Sequence, residues 1–527
     1  MTDYHLRLQG ARAGQEAEGS RPASAPPWRG HAAAAAIALA CVLYAEALAR
    51  LSRLTWVGDE DAELALIAGN WLWKRVPVAG VWCQRHGMGE VWLTVPFLAA
   101  AGQREPAFLL RNGTFGVLGI CACAFLAFEL GADLYGAAAA ALLLALTPAW
   151  TVLSCNGIFN AISSCALAPL SLALWLRGAR TRRPWLSLAA ALTLGAALWT
   201  RSTMAAWILA LAAAAAAGAL PSPWQELPAR RKRAFAAACA ALFLWPQAPL
   251  VAYYFRRSGL LYEFWTGRVF GQQKSWYYSL SRRLAIRLAQ SAELLDARGP
   301  RLIVLGALVG AIAVLAARSG RLSRRAALPW ILFAGYLFLA SLSPTDFRYY
   351  HLLPLIPLFT AAVCALAAQA GRANSRRWAN ALLAALLCWR AGAFVLMVRS
   401  DGERPSYDES TGSLALRRLF AFFESRPGAR PVFFGEMEDH AFLFSSKGGI
   451  APVLVDSSPG RPLDSDSRWN ESFSVRDPMF VFESAGPYLY MRTAFRSQLA
   501  KRGLTARVES VIRDRVGAPV YDVYRLQ

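Results

Sequence analysis

"AFLLRNGTFGVLGICACAFLAFEL", Ala107 to Leu130, decides the fold class. Coiled as a helix, this run rises ~36 Å at 1.5 Å per residue, enough to cross a hydrocarbon core about 30 Å thick. Ten further apolar blocks repeat the pattern, at Ala32 to Leu48, Gly136 to Leu153, Ile158 to Leu176, Trp185 to Trp199, Met204 to Leu220, Phe235 to Phe255, Leu302 to Ala317, Ala327 to Leu342, His351 to Ala370 and Trp378 to Val398. The chain therefore reads as an all-α polytopic membrane domain of about eleven spans. Its composition agrees: 527 residues, 56% hydrophobic, 17% charged and a mean hydropathy of +0.31 exclude an ordinary soluble protein.

A net charge of +22 would suggest nucleic acid in a soluble domain, but the arginines fall in short clusters between apolar blocks, so no nucleic-acid partner is expected. Arg177, Arg180, Arg182 and Arg183 form one cluster, Arg230, Arg231, Lys232 and Arg233 a second, Arg318, Arg321, Arg324 and Arg325 a third, and Arg372, Arg376 and Arg377 a fourth. Counting spans puts all four on the side of the N-terminal tail. Cytoplasmic loops hold excess Lys and Arg, so the tail is expected inside and the last span exits outward. Residues 1–30 lack apolar periodicity and read as a disordered cytoplasmic tail. The alanine-rich run from Ala32 reads as a retained helix rather than a signal peptide, because no cleavage site follows it. Of nine cysteines only Cys83 falls in an expected external loop, and no CxxC spacing occurs, so disulfides are not expected.

With this orientation the outer face carries long loops at 56–106 and 256–300. After Arg399 the pattern changes to β-prone runs, "ARPVFFGE", "MEDHAFLFSS", "APVLVD", "PMFVFES" and "PVYDVYRL", among helix candidates such as "GSLALRRLFAFFES" and "YLYMRTAFRSQLAKRG". Residues 399–527 read as a small soluble extracytoplasmic α/β domain. No glycine-rich phosphate loop precedes its helices.

The first outer loop opens with "WVGDEDAELALIAGNW", where Asp59, Glu60, Asp61 and Glu63 crowd together. Glu60, Leu64, Ile67 and Trp71 share one helical face. The plain reading is an interfacial helix whose first-turn acids complement its dipole. The sharper one is chemical: a carboxylate at the water edge of a membrane pocket can take a proton from an attacking hydroxyl. A leaving anion would then need cations, and Arg201 in "ALWTRSTMAAW" and Arg348 in "SPTDFRYYHLLPLIP" fall on the same expected face. Each alone is more often an interfacial arginine that snorkels or pairs, Arg348 with Asp346. Glu90 in "CQRHGMGE" is a further outer carboxylate, read first as an ion pair with Arg85 or His86 and second as an acceptor contact.

These segments resemble the polytopic C-type (GT-C) glycosyltransferases, in particular the dolichyl-phosphate-mannose protein mannosyltransferase and aminoarabinose lipid A transferase group (glycosyltransferase family 39-like). The likeness rests on "GDEDAELALIAGNWL", "EVWLTVPFLAAAGQREPAFLLRNGTFGVLG", "ELGADLYGAAAAALLLALTPAW", "LTLGAALWTRSTMA", "EFWTGRVFGQQKSWYYSL" and "FRYYHLLPLIPLF", in order from Thr55 to Pro357. It implies sugar transfer from a polyprenyl-phosphate donor to a hydroxyl of a lipid, glycan or protein acceptor, with inversion, on the outer face of a plasma (inner) membrane. Carried over by position, the base is Asp59, Glu60 or Asp61. Arg201, Arg348, Tyr349, Tyr350, His351 and Lys274 are candidates for the donor phosphate. Trp276, Tyr277 and Tyr278 would line a second loop that closes on the donor, with Glu90 near the acceptor. Asn156 and Asn160 stand where relatives often carry an acid. No His or Asp spacing fixes a metal, although the clustered acids leave a divalent cation open. Two other classes compete: a flippase or transporter of lipid-linked sugars, against which no internal repeat or mid-membrane acid is found, and a non-catalytic protein that binds such lipids.

Overall fold

The computed structural model describes residues 28–52, 59–74, 89–155, 161–201, 203–223, 228–248, 279–295, 299–318, 324–342, 352–370, 373–399, 411–434, 442–443, 445–447, 449–455, 467–484, 489–513 and 517–527. The membrane-type part contains helices α1 (Trp28–Ser52), α2 (Asp59–Lys74), α3 (Gly89–Ala101), α4 (Glu105–Glu129), α5 (Leu134–Ala145), α6 (Pro148–Cys155), α7 (Ala161–Thr181), α8 (Pro184–Thr200), α9 (Met204–Ala216), α10 (Ala229–Leu244), α11 (Leu280–Leu294), α12 (Pro300–Arg318), α13 (Arg324–Leu342), α14 (Leu355–Ala368) and α15 (Ala373–Arg399). Among the described residues, stretches of α1, α4, α7, α12 and α15 are each long and apolar enough to cross a membrane. The pair α5 and α6 passes the same test only together, bent by 51° at the break between them. Pro148 explains the break, since it opens α6 without an N–H to continue the ladder of α5, and the Thr147 hydroxyl turns back to the Leu143 carbonyl at 2.7 Å.

The apolar run Ala107 to Leu130 forms α4, and its small residues let its neighbours in close. Gly116 faces the Tyr44 ring of α1 and Gly119 faces Trp150 of α6, each so near that a Cβ would overlap the ring. The Trp150 indole donates to the Gly116 carbonyl at 3.3 Å. In the same way Gly195 of α8 lies against the backbone of Phe243 in α10. Without such small residues apolar helices in lipid have little reason to associate. The seventh apolar block starts earlier than the sequence suggested, at Ala229, so Arg230 to Arg233 form its first turns rather than a preceding loop.

One end of the bundle is held by charge. Glu129, at the end of α4, accepts from Arg177 at 3.2 Å and Arg180 at 2.7 Å, and Asp133, the N-cap of α5, pairs with Arg376 of α15. The first and fourth arginine clusters therefore lie at one end.

The C-terminal part holds α16 (Thr411–Glu424), β1 (Arg430–Phe434), β2 (Val453–Val455), α17 (Ser467–Ser474), β3 (Pro478–Glu483), α18 (Leu489–Arg502), β4 (Ala506–Arg513) and β5 (Pro519–Leu526). The sheet order is β2-β1-β3-β5-β4, parallel from β2 through β3 and antiparallel beyond. Successive side chains point to opposite faces of a strand, and each face has its own core. Val432, Phe480 and Phe482 pack with Trp469 of α17 and Met491 and Phe495 of α18. Phe433, Met479, Val481 and Val523 join Leu416, Leu419 and Phe423 of α16, and the same cluster continues into Leu64 of α2, Val91 and Leu98 of α3 and Phe108 of α4. The sheet is thus rooted on α2, α3 and the start of α4. Two local expectations change: Phe442 and Leu443, inside the β-prone run "MEDHAFLFSS", are helical, and β4 is a strand that no β-prone run had marked.

Candidate active site

The loop between α1 and α4 forms two helices packed on each other, α2 and α3. Asp59, Glu60 and Asp61 occupy the first turn of α2, where the helix dipole favours negative charge; their side chains lie outside the described residues. The buried stripe of α2 runs through Ala62, Leu64, Ala65 and Ala68, while Ile67 and Trp71 are only half-buried. Leu64 of the face read from the sequence lies in this stripe and Ile67 packs beside it, while the small side chains of Ala62, Ala65 and Ala68 allow the closest approach. Trp71 stays at the edge, against Trp92 of α3 with ring centroids 4.6 Å apart.

The start of α3 is seated on the end of α8. A Cβ on Gly89 would lie 2.8 Å from the Trp199 carbonyl carbon and the Thr200 nitrogen, so only glycine permits the contact. The residues that follow Gly89 and Thr200 are Glu90 and Arg201. Both are buried, at 1% and 4% exposure. Glu90 Oε1 accepts from the Ser163 hydroxyl of α7. Arg201 is the extended C-cap of α8, its N–H donating to the Ala197 carbonyl at 3.1 Å. Both lie near Cys165 of α7, and Arg201 lies also near Tyr336 of α13. The carboxylate and the guanidinium therefore share one neighbourhood walled by α3, α7, α8 and α13. Trp207 of α9 meets Tyr336 edge-on at 6.1 Å. The indole N–H groups of Trp199 and Trp207 have no acceptor among the described residues.

Helices α7 and α8 both place this neighbourhood at the end away from the arginine–carboxylate clamp on Glu129. Along α8 the separation between Pro184 and Thr200 is about 24 Å at the helical rise. Arg201 and Glu90 sit beyond that far end. Chemically, a buried guanidinium can hold a phosphate by charge-assisted hydrogen bonds, and buried carboxylates can accept a proton.

Of the residues singled out in the sequence, the structure brings Arg201 and Glu90 together, and α2 packs against the α3 that carries Glu90. Arg348, Tyr349, Tyr350, His351, Lys274, Trp276, Tyr277 and Tyr278 lie outside the described residues, as do Cys83, Asn156, Asn160 and the partners expected for Glu90, Arg85 and His86. Ser163 was not foreseen, and its only signal was polarity inside an apolar run, "NAISSCALA". No group of three or more metal-ligating side chains is found among the described residues.

No protein-family model matches the chain, and no curated protein matches it. Among solved structures it is similar to ArnT from Cupriavidus metallidurans bound to undecaprenyl phosphate, with a TM-score of 0.61 and 17% identity, covering 93% of this chain and 97% of that one. The apo state of the same protein matches with a TM-score of 0.58 and 16% identity, covering 93% and 97%. At this identity the likeness establishes the fold: the chain has the fold of ArnT over nearly its whole length, helices and C-terminal sheet together.

Proposed function

We propose that the protein is an integral membrane glycosyltransferase that moves a sugar from a polyprenyl-phosphate donor to an acceptor hydroxyl on the extracytoplasmic face. The observation that carries this reading is the buried Arg201 beside Glu90, set against the α2–α3 pair whose first turn holds three acids. Undecaprenyl phosphate, the ligand of the similar ArnT structure, has the chemistry that such a site suits: one phosphate on a long apolar chain. The buried neighbourhood supplies the charge, and the surrounding apolar helices supply the solvent for the chain.

In this reading Asp59, Glu60 or Asp61 takes the acceptor proton as the hydroxyl oxygen attacks the anomeric carbon. The bond from that carbon to the phosphate oxygen breaks on the opposite face, giving inversion, and the lipid phosphate leaves with the bonding electrons. Arg201 stabilises the charge that grows on the phosphate, the effect that lowers the barrier most in reactions of this kind, assisted by Arg348 and Lys274 with Tyr349, Tyr350 and His351. Trp276, Tyr277 and Tyr278 belong to a loop that closes over the donor. Burial makes Arg201 effective, because the same charge in water would be screened. The arginine clusters mark the cytoplasmic end, which leaves the site and the C-terminal α/β domain outside.

The test is turnover of a polyprenyl-phosphate sugar by purified protein, read as release of the lipid phosphate on addition of acceptor. Replacing the base among Asp59, Glu60 and Asp61 by alanine lowers turnover by about 100-fold or more, with the other two changing it little. Full activity in all three variants removes the acids from the mechanism.

A further inference from the structure

Behind Glu90 runs a line of buried hydrogen bonds that leads away from the site. The Thr94 hydroxyl, one turn along α3, donates to the Glu90 carbonyl at 2.7 Å. That hydroxyl has one proton to give, so its remaining capacity is to accept, and it accepts from Nη1 of Arg111 at 2.8 Å. Arg111 lies in α4 at 1% exposure, with its guanidinium 5.3 Å from the centre of the Phe108 ring. Its Nε donates to the Asn112 side chain at 3.1 Å. Asn112 donates in turn to the Ser154 carbonyl of α6 at 2.9 Å, and its own carbonyl accepts from the Tyr44 hydroxyl of α1 at 3.3 Å. Three helices of the bundle are thereby connected, through one guanidinium and one hydroxyl, to the backbone of the residue carrying the buried carboxylate.

We propose that Thr94 and Arg111 are positioning residues that fix the first turn of α3, so that Glu90 stays on Ser163 and beside Arg201 in the geometry that receives the donor phosphate. The inference rests on the reading of Arg201 and Glu90 as the donor site. Neither residue touches the lipid. Two features favour positioning over plain packing. The Glu90 carbonyl sits in the first turn of a helix that also depends on the glycine contact with Trp199, so small tilts of α3 move the carboxylate directly. A buried arginine is also an expensive way to fill space, whereas its fixed fork of donors suits the holding of several elements in register.

The experiment measures binding of undecaprenyl phosphate to the purified full-length protein in detergent, beside the melting temperature of the lipid-free protein. Thr94→Val keeps the shape and removes the hydroxyl, and Thr94→Ser restores it. Thr94→Val is expected to weaken binding about 5- to 10-fold, the scale of one lost buried hydrogen bond, at a temperature well below the lipid-free melting point, which also falls because Arg111 loses an acceptor; Thr94→Ser binds like wild type. Arg111→Gln gives the same loss, and adding it to Thr94→Val weakens binding no further, because both act through one link. Wild-type affinity in Thr94→Val, or equal loss in the Ser and Val variants, overturns the inference while leaving the donor site in place. A wild-type protein that takes up no undecaprenyl phosphate removes the donor site itself, and this inference with it.

Discussion

Gly89 shows how much one missing side chain decides. Its neighbours are backbone atoms of Trp199 and Thr200, which cannot rotate aside as a side-chain tip can. Gly89→Ala is expected to destabilise the protein by about 1–3 kcal/mol, the range for overpacking, and to weaken undecaprenyl phosphate binding by displacing Glu90. Gly306→Ala in α12 is the control: nothing lies within 4 Å of the added carbon, and alanine is the better helix former by up to about 1 kcal/mol. Melting curves of the two variants in detergent should move in opposite directions, or the second not at all. Equal behaviour would mean that α3 and α8 do not meet at Gly89. The role of Glu90 was hard to read because its surroundings come from far along the chain. Ser163 is 73 positions away, and the backbone it sits against is that of α8. Local pattern marked a carboxylate in an outer loop, and only the tertiary contact makes it a buried one.

At the scale of elements, the long apolar runs were legible because crossing a bilayer demands both length and unbroken hydrophobicity, and α4, α7, α12 and α15 follow them closely. Strand β4 was not, for a physical reason. It is an edge strand with half of its residues exposed, Val508 included at 50% exposure, and Arg507, Glu509 and Arg513 lie on it; charge on an edge discourages pairing with a further strand and hides the alternation that marks a strand. On α2 the apolar spacing marked Leu64 and Ile67, which pack on the core, but not Ala62 and Ala65, because hydrophobicity ranks small alanines low even where they fit most tightly. Ala65→Leu, at a fully buried position, is therefore expected to lower stability by about 1–3 kcal/mol, while Ile67→Ala should have the smaller effect. Thermal unfolding in detergent checks the order; the reverse order would place the tightest packing at Ile67 rather than Ala65. At the other end of the bundle Glu129, buried between two partly exposed arginines, is expected to be worth about 1–3 kcal/mol when replaced by Gln, from hydrogen bonds to charged groups.

Across the whole molecule, the C-terminal sheet and helices α2 and α3 share one apolar core, running from Leu64 and Val91 through Phe433 to Val523. The division after Arg399 that composition suggested is thus bridged by packing. A chain ending at Arg399 would leave Leu64, Val91, Leu98 and Phe108 uncovered, a surface of the kind that drives association. Such a truncation should elute as aggregates from size exclusion in detergent, whereas a monodisperse peak of normal yield would show the sheet to be dispensable for the fold. The same scale sets the topology. Cysteines introduced near Arg201 should react with an impermeant reagent from the side opposite to those introduced near Arg180 and Arg376. Labelling of all three from one side would contradict the assignment of ends.

The most direct measurement is saturable binding of undecaprenyl phosphate to the purified protein and to its Arg201→Gln variant, with Arg318→Gln, at an exposed position in the last turn of α12, as the control for loose attraction of phosphate to positive charge. If Arg201 holds the donor phosphate, Arg201→Gln weakens binding by about 10- to 100-fold, the worth of hydrogen bonds from a charged donor, while Arg318→Gln leaves it unchanged. Equal affinity in wild type and Arg201→Gln would contradict that role and the donor site built around it.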